Sequence, residues 1–328
     1  MDVQPPSNRA RQQLILKCFQ RGATLTPTGT APAYRQSLDG LLRWLMQADQ
    51  VTSDQTTLSL KLSHNTSAAV ISKQAGLVAG VHEALYLIKQ YTQIEAQAQI
   101  ADGSSIEKSQ PILSLLGDMG QVLAFERIIL NIIGRMSGIA TQTRRLIDLT
   151  REGTAQIAGT RKAPWTLLDK KAIYCGGGLT HRLNLADGLL IKDNHLEALR
   201  HQIGSTSIEE TIPQAVYLAF ESPHDCFEIE VETPEQGHIA LSTYGSVIRG
   251  RNQYPTMVVM LDNFDPKGAA LFIDEVRLTP VYEQVLFEAS GDVTEATIGR
   301  WSQTGVDVVS LGALTHSVSN FNVSMVFG

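Results

Sequence analysis

Six short, apolar, β-branched runs follow one another at near-regular intervals through the second half of the chain, and this rhythm restricts its folding more than any other feature. They are AQIAGT (155–160), DGLLIKD (187–193), CFEIEVE (226–232), TMVVMLD (256–262), VLFEASG (285–291) and VDVVSLG (306–312). Their first residues stand 32, 39, 30, 29 and 21 apart, close to the roughly 30 residues that a strand and its returning helix occupy. Helical patterns fill the gaps over 197–202, 208–221, 233–242, 267–278 and 293–303, and Thr233-Pro234 and Asp265-Pro266 supply start signals. Strands this apolar are buried on both faces, so the pattern predicts a parallel sheet covered by helices.

The polar residues favour a barrel over an open doubly wound sheet. Arg161-Lys162, Lys192-Asp193-Asn194, Glu230, Asp262-Asn263, Ser290-Gly291 and Gly312-Ala313 all fall at or just beyond the ends of their runs. In a parallel barrel those ends converge on one mouth, where the active sites of that fold lie. Six separate segments would then furnish one pocket.

The first part of the chain reads differently. Alternating stretches at 57–63 and 68–74 suggest strands, and 38–47 and 81–91 suggest helices. A long periodic helix spans 125–149, with Ile129, Ile132, Ile133, Met136, Ile139 and Ala140 on its buried face. The expected organisation is an N-terminal α+β sandwich domain over 1–127, followed by an incomplete parallel α/β barrel over 128–315. The tail, 316–328, alternates like a strand and could return to the first domain.

Charge and cysteine content narrow the partners. The chain of 328 residues has a net charge of −6, yet residues 126–200 hold 12 Lys and Arg against 7 Asp and Glu. An acidic protein with one basic stretch suits a small anion better than a nucleic acid, whose long polyanion the remaining surface would repel. Solvated helix charges would explain the same clustering. Aromatic residues make up 6% and form no stripe for stacking bases. Cys18, Cys175 and Cys226 stand far apart and odd in number, so neither a disulfide framework nor a Cys-rich metal site is expected, and Cys175 and Cys226 read as small core residues. The opening MDVQPPSNRARQQ lacks the apolar core of an export signal, and no apolar run reaches the ~18–20 residues of a membrane span. A cytoplasmic protein is expected.

Seven stretches, in order, resemble the type II phosphoribosyltransferases, and within them the quinolinate phosphoribosyltransferase family. They are FERIILNIIGRMSGIATQTRR (125–145), GTRK (159–162), CGGGLTHRLNLADGLLIKDNH (175–195), EIEVE (228–232), MLDNF (260–264), EASG (288–291) and SLGALTHS (310–317). Weaker likeness extends over 51–57, 75–81 and 102–113. The resemblance implies transfer of phosphoribose from 5-phosphoribosyl 1-pyrophosphate to the ring nitrogen of quinolinate, with loss of CO2. It also implies that Arg161, His181 and Arg182 contact the quinolinate carboxylates, that Lys162 and Lys192 lie between this acid and the donor phosphates, and that Arg127 reaches the site of a neighbouring subunit in a homodimer.

The residue types meet the chemical demand independently. A dicarboxylate calls for cations in a dry pocket, best met by arginine forks. A departing pyrophosphate calls for Mg2+, and the ribose hydroxyls for acceptors, which Glu230 and Asp262 could provide. Backbone N–H groups at Ser290-Gly291 and Gly312-Ala313 suit the 5-phosphate, since phosphate sites recur after the last strands of a barrel. Glu228, Glu230 and Glu232 alternate, so an outward charged face explains them as well, and Glu228 could replace Glu230 if the register slips. His195 reads as a structural hydrogen-bonding residue.

Two departures from the family pattern stand out: the loop Ala163-Pro164-Trp165-Thr166-Leu167 is shorter, and Asp292 occupies a position that is commonly glycine. Three other functions stay open on the residues alone. They are a molybdenum-transport-associated relative with another acceptor, a lyase using Lys192 as a Schiff-base nucleophile, and a non-catalytic anion binder.

Overall fold

The computed structural model describes residues 8–29 and 32–328; the first seven positions, part of the stretch read for an export signal, lie outside them. In chain order the elements are α1 (Asn8–Phe19), α2 (Pro32–Ala48), α3 (Gln55–Leu60), β1 (Asn65–Ser72), β2 (Gly76–Leu77), α4 (Val81–Tyr91), β3 (Glu95–Ala98), β4 (Ser105–Ile106) and β5 (Pro111–Asp118). The 31-residue α5 (Met119–Leu149) leads to β6 (Gln156–Gly159), α6 (Leu167–Cys175), β7 (Leu189–Ile191), α7 (Asp193–Ile203) and α8 (Ile208–Phe220). Then come β8 (Cys226–Val231), α9 (Pro234–Ile248), β9 (Thr256–Asp262), α10 (Pro266–Arg277) and β10 (Val285–Ser290). The chain finishes with α11 (Ile298–Trp301), β11 (Val308–Leu311), α12 (Ala313–His316) and β12 (Val323–Phe327). No helix among the described residues is long and apolar enough to cross a membrane.

Two compact units form, each discontinuous in sequence. One comprises the segment ending at Gln20 with Leu146–Thr160 and His181–Leu311; the other comprises Arg21–Arg145, Arg161–Thr180 and Gly312–Gly328.

The first unit is built on a six-stranded parallel sheet in the order β6-β11-β10-β9-β8-β7. Each strand lies beside its neighbour in sequence, except that the first, β6, pairs with the last, β11. This is the cyclic order of a barrel wound in one direction, with β6 and β7 left as edges and no ladder joining them. The strands are apolar because both faces are covered: all of β9 except its last residue is buried, as is all of β11. Thr233 and Asp265 cap α9 and α10, accepting the Gln236 N–H and the Lys267 and Gly268 N–H groups, and proline follows each cap.

Helix α1 belongs to this unit. It buries Ile15 and Phe19, and Arg11 forms a two-pronged ion pair with Asp307, Nη2 to Oδ2 at 2.8 Å, while lying 4.5 Å from the Tyr282 ring. Asp307 also accepts the Phe287 N–H at 2.7 Å. The expectation that the cysteines are not joined by disulfides is corrected here. Cys18 and Cys226 form a disulfide, Cα to Cα 5.7 Å, across 208 residues of sequence, because α1 carries Cys18 to the first residue of β8. Cys175 stays free, and burial pushes its thiol up to about 12.

The second unit holds a four-stranded antiparallel sheet, β12-β1-β5-β3, and a small β2-β4 ribbon. Its core combines Leu38 and Leu42 of α2, Ala84, Leu87 and Ile88 of α4, and Ile129, Ile132, Ile133, Met136, Ile139 and Ala140 of α5. The strand expected at 57–63 is absent: Gln55–Leu60 is helical. Leu58 and Leu60, which gave the alternation, are 60% and 63% exposed and define no buried face. Asp54 decides the conformation by accepting the Thr56 and Thr57 N–H groups as an N-cap.

Candidate active site

Four strand ends of the first unit assemble the densest polar cluster. Lys192 directly follows β7 and caps α7; its N–H donates to His195 Nδ1 at 2.9 Å and its C=O accepts the His195 N–H at 2.8 Å. His195 is thus the structural residue expected, fixing the backbone from which the Lys192 side chain extends. Lys192 Nζ meets Glu230 Oε2 at 2.8 Å on the adjacent strand β8. Glu230 and Glu228 are both buried, which excludes the outward charged face. Burial pulls the Lys192 pKa down, but the Glu230 hydrogen bond and the charges of Glu230 and Asp262 outweigh it and hold it above the ordinary value. A Schiff-base nucleophile needs the opposite shift, so the lyase reading loses its premise.

Asp262 ends β9, in register with Ser290 at the end of β10. Its carboxyl is held above the ordinary range by burial and by the Glu230 charge. Its Oδ2 accepts from Asn263 Nδ2 at 2.9 Å. Gly291 stands directly against this carboxylate, with φ of +83°; a Cβ there would lie 3.0 Å from both Asp262 Oδ1 and Asn263 Oδ1. Glycine is required by both backbone conformation and space. Asp292 follows with φ of +45°. Two carboxylates at neighbouring strand ends make an oxygen donor set of the kind hard divalent cations use, so Glu230 and Asp262 fit Mg2+.

His181 and Arg182 lie in the connection before β7. His181 is buried, with φ of +52°, and its N–H donates to Phe19 C=O at 2.8 Å. Its Nε2 lies 3.0 Å from Glu228 Oε2 and 3.2 Å from Glu288 Oε2. Burial opposes a charged ring here, but the Glu288 and Glu228 charges outweigh it and raise His181 to about 10. Burial and the Glu288 charge push Glu228 up to about 7. The half-buried Arg182 donates from Nη1 to Gly188 C=O at 3.4 Å. Sequence reasoning missed Glu288, since no spacing links positions 181, 228 and 288.

The remaining expected residues fall in the second unit. Arg127 is exposed on α5, and Arg161 and Lys162 are exposed after β6. Lys162 C=O accepts the Thr315 hydroxyl at 2.6 Å, and a Cβ on Gly312 would lie 3.1 Å from Lys162 Cδ. Gly312 and Thr315 therefore meet Lys162 in space. A further residue missed in the sequence organises the altered loop: Arg135 on α5 forks onto the buried Asp169 with two 2.8 Å bonds and donates to Thr315 C=O at 2.9 Å. Asp169 in turn accepts the Trp165 N–H at 3.0 Å, and the Trp165 ring lies 5.3 Å from the Arg135 guanidinium. Trp165 packs the turn.

Two family domains cover most of the chain: the quinolinate phosphoribosyl transferase N-terminal domain matches residues 54–137, and the C-terminal domain matches 139–326. The chain belongs to the quinolinate phosphoribosyltransferase family. A Bacillus subtilis protein named as a probable nicotinate-nucleotide pyrophosphorylase (carboxylating) is 33% identical over 88% of this chain and 92% of its own length. A Mycobacterium leprae nicotinate-nucleotide pyrophosphorylase (carboxylating) is 31% identical over 79% of this chain and 85% of its own. The solved nicotinate-nucleotide pyrophosphorylase from Francisella tularensis superposes with a TM-score of 0.74 at 28% identity, covering 89% of this chain and 96% of that one. The strand-end cluster thus sits on a quinolinate phosphoribosyltransferase scaffold.

Proposed function

We propose that this chain is a pentosyltransferase that moves phosphoribose from 5-phosphoribosyl 1-pyrophosphate to the ring nitrogen of quinolinate. The products are nicotinate mononucleotide, pyrophosphate and CO2, which places the enzyme in NAD biosynthesis. The observation that carries this reading is the Lys192–Glu230 pair beside Asp262 and Gly291, at adjacent strand ends of a family-matched sheet.

Each residue has a task set by its chemistry. Glu230 and Asp262 accept from the ribose hydroxyls and face the positive charge that develops on the sugar as the glycosidic bond breaks. Lys192, held ammonium by Glu230, neutralises the oxygens of the departing pyrophosphate. Glu230 and Asp262 would hold Mg2+, directly or through the substrate, and the ion would supply charge neutralisation on that leaving group. The amides at Ser290, Gly291, Gly312 and Ala313 receive the 5-phosphate, Arg161, Lys162 and Arg182 serve the acceptor carboxylates, and His181, whose ring nitrogens face Glu228, Glu288 and the Arg182 peptide, serves them through Arg182. Arg127 completes the site of a neighbouring subunit in a homodimer.

Chemistry sets the order of steps. Loss of the 2-carboxylate as CO2 leaves an electron pair at the ring carbon, stabilised by the pyridinium nitrogen until a proton from water takes it up. Glycosylation creates that nitrogen, so transfer comes before release of CO2. The test is pyrophosphate release by the full chain. Release that needs both quinolinate and Mg2+ supports the proposal; release with nicotinate in place of quinolinate, or none with either, overturns it.

A further inference from the structure

Two ionisable carboxyls and a histidine at the heart of a sheet otherwise packed with Val, Ile, Leu and Phe need a reason. Glu288 is fully buried on β10, and neither of its oxygens finds a hydrogen-bond partner; Glu228 Oε1 on β8 finds none either. His181 Nε2 lies within 3.2 Å of both acids and meets hydrogen-bond geometry with neither. Burying such groups costs several kcal/mol, and apolar side chains of similar volume would serve the core better. The same His181 adopts a left-handed backbone, φ +52°, which a β-carbon disfavours and which persists only where the surroundings impose it.

The other face of the ring shows what is imposed. The Arg182 N–H donates to His181 Nδ1 at 2.6 Å. Nδ1 thus faces the Arg182 peptide while Nε2 faces the two carboxylates, so the ring is held at both ends. A ring kept protonated by its two acidic neighbours offers Nε2 no lone pair for a metal ion, although the three ligand atoms lie within 4.8 Å of one another. The cluster is therefore a clamp on the imidazole, and the imidazole is a clamp on the Arg182 peptide.

We infer that Glu228 and Glu288 are positioning residues for the acceptor site, acting through His181 to set the backbone from which Arg182 extends. This rests on the reading above that Arg182 binds a quinolinate carboxylate. The two acids and the imidazole all lie within the first unit, on β8, on β10 and in the connection entering β7. Charge at this point orients without touching substrate: replacing Glu288 leaves the Arg182 guanidinium present but its backbone free to turn.

Steady-state kinetics of the full chain, varying each substrate at saturation of the other, separates the cases. Glu288→Gln should raise the KM for quinolinate about tenfold while the KM for phosphoribosyl pyrophosphate and kcat stay within about twofold. Arg182→Ala should raise the quinolinate KM further, and the double variant should match Arg182→Ala alone, because both act on one interaction. Additive effects, or equal changes in both KM values, overturn the inference. If Arg182→Ala raises the quinolinate KM and Glu288→Gln leaves it unchanged, the inference fails and the acceptor reading stands; if Arg182→Ala itself is silent, the acceptor reading fails and takes the inference with it. Should Glu288→Gln not unfold cooperatively, Glu228→Gln, on the same ring nitrogen, runs the same cycle and decides. Stoichiometric metal in the purified protein, lost in His181→Gln, would overturn the clamp in favour of a metal centre.

Discussion

The Lys192 ammonium stands 2.8 Å from the Glu230 carboxylate, one at the end of β7 and the other on the neighbouring strand β8. Glu230→Gln keeps the shape and removes the charge that holds both the lysine and the ribosyl cation. The expected outcome is a fall in kcat of about 100-fold or more with a melting temperature within a few degrees of wild type. Normal kcat would refute the assignment.

Arg161→Ala should cost about 2–5 kcal/mol of acceptor interaction by leaving a carboxylate unpaired, read as a raised quinolinate KM, and should leave folding intact because the side chain is exposed. Arg127→Ala should lower activity and recover part of it when mixed with Glu230→Gln, since a mixed dimer can build one complete site. Absence of recovery would contradict a shared site.

Gly291→Ala forces a β-carbon into a positive-φ position and 3.0 Å from the Asp262 and Asn263 oxygens. A loss of about 1–3 kcal/mol in stability is expected, with a larger rise in the KM for phosphoribosyl pyrophosphate than for quinolinate. Thermal melts and substrate titrations measure both.

Glu83 is buried on α4, and its Oε1 accepts the Tyr34 hydroxyl at 2.6 Å. Burial, helped by the Asp102 charge, raises its carboxyl from 4.5 to about 7. The folded state therefore keeps this proton to higher pH than the unfolded state, so its contribution is complete below about pH 4.5 and is lost as pH rises through 7. Glu83→Gln should match wild type near pH 5 and be more stable by about 2–3 kcal/mol at pH 8, as denaturant titrations at the two pH values would report. Equal slopes with pH would exclude the effect.

The Cys18–Cys226 disulfide closes a loop of 208 residues. Its loss should cost about 2–4 kcal/mol. Wild type in reductant should melt with Cys18→Ser, whose own melt should ignore reductant. Peptide mapping without reduction should recover the linked pair; two free thiols would refute the link.

The parallel sheet was legible because its strands are covered on both faces, so each reads as an unbroken apolar run whatever its partner: 256–262 is β9 residue for residue. Helix α4 was legible for a related reason, one face of Val81, Ala84, Leu87 and Ile88 being buried. Alternation misled at 57–63, where a local cap at Asp54 outweighed a pattern with nothing to pack against. The strand-end residues Lys192, Glu230 and Asp262 could be located from the ends of their runs. The Glu228–His181–Glu288 clamp, the Arg135–Asp169 fork and the disulfide could not, because each joins side chains whose separation in the chain says nothing about their distance in space.

Val323–Phe327 hydrogen-bonds along Asn65–Ser72, at the margin of the antiparallel sheet. During synthesis that sheet must wait with one flank bare until residues 323–327 leave the ribosome. The portion translated early is thus finished late, and deleting residues 323–327 would injure the sheet built on residues 65–72 and 111–118, translated far earlier.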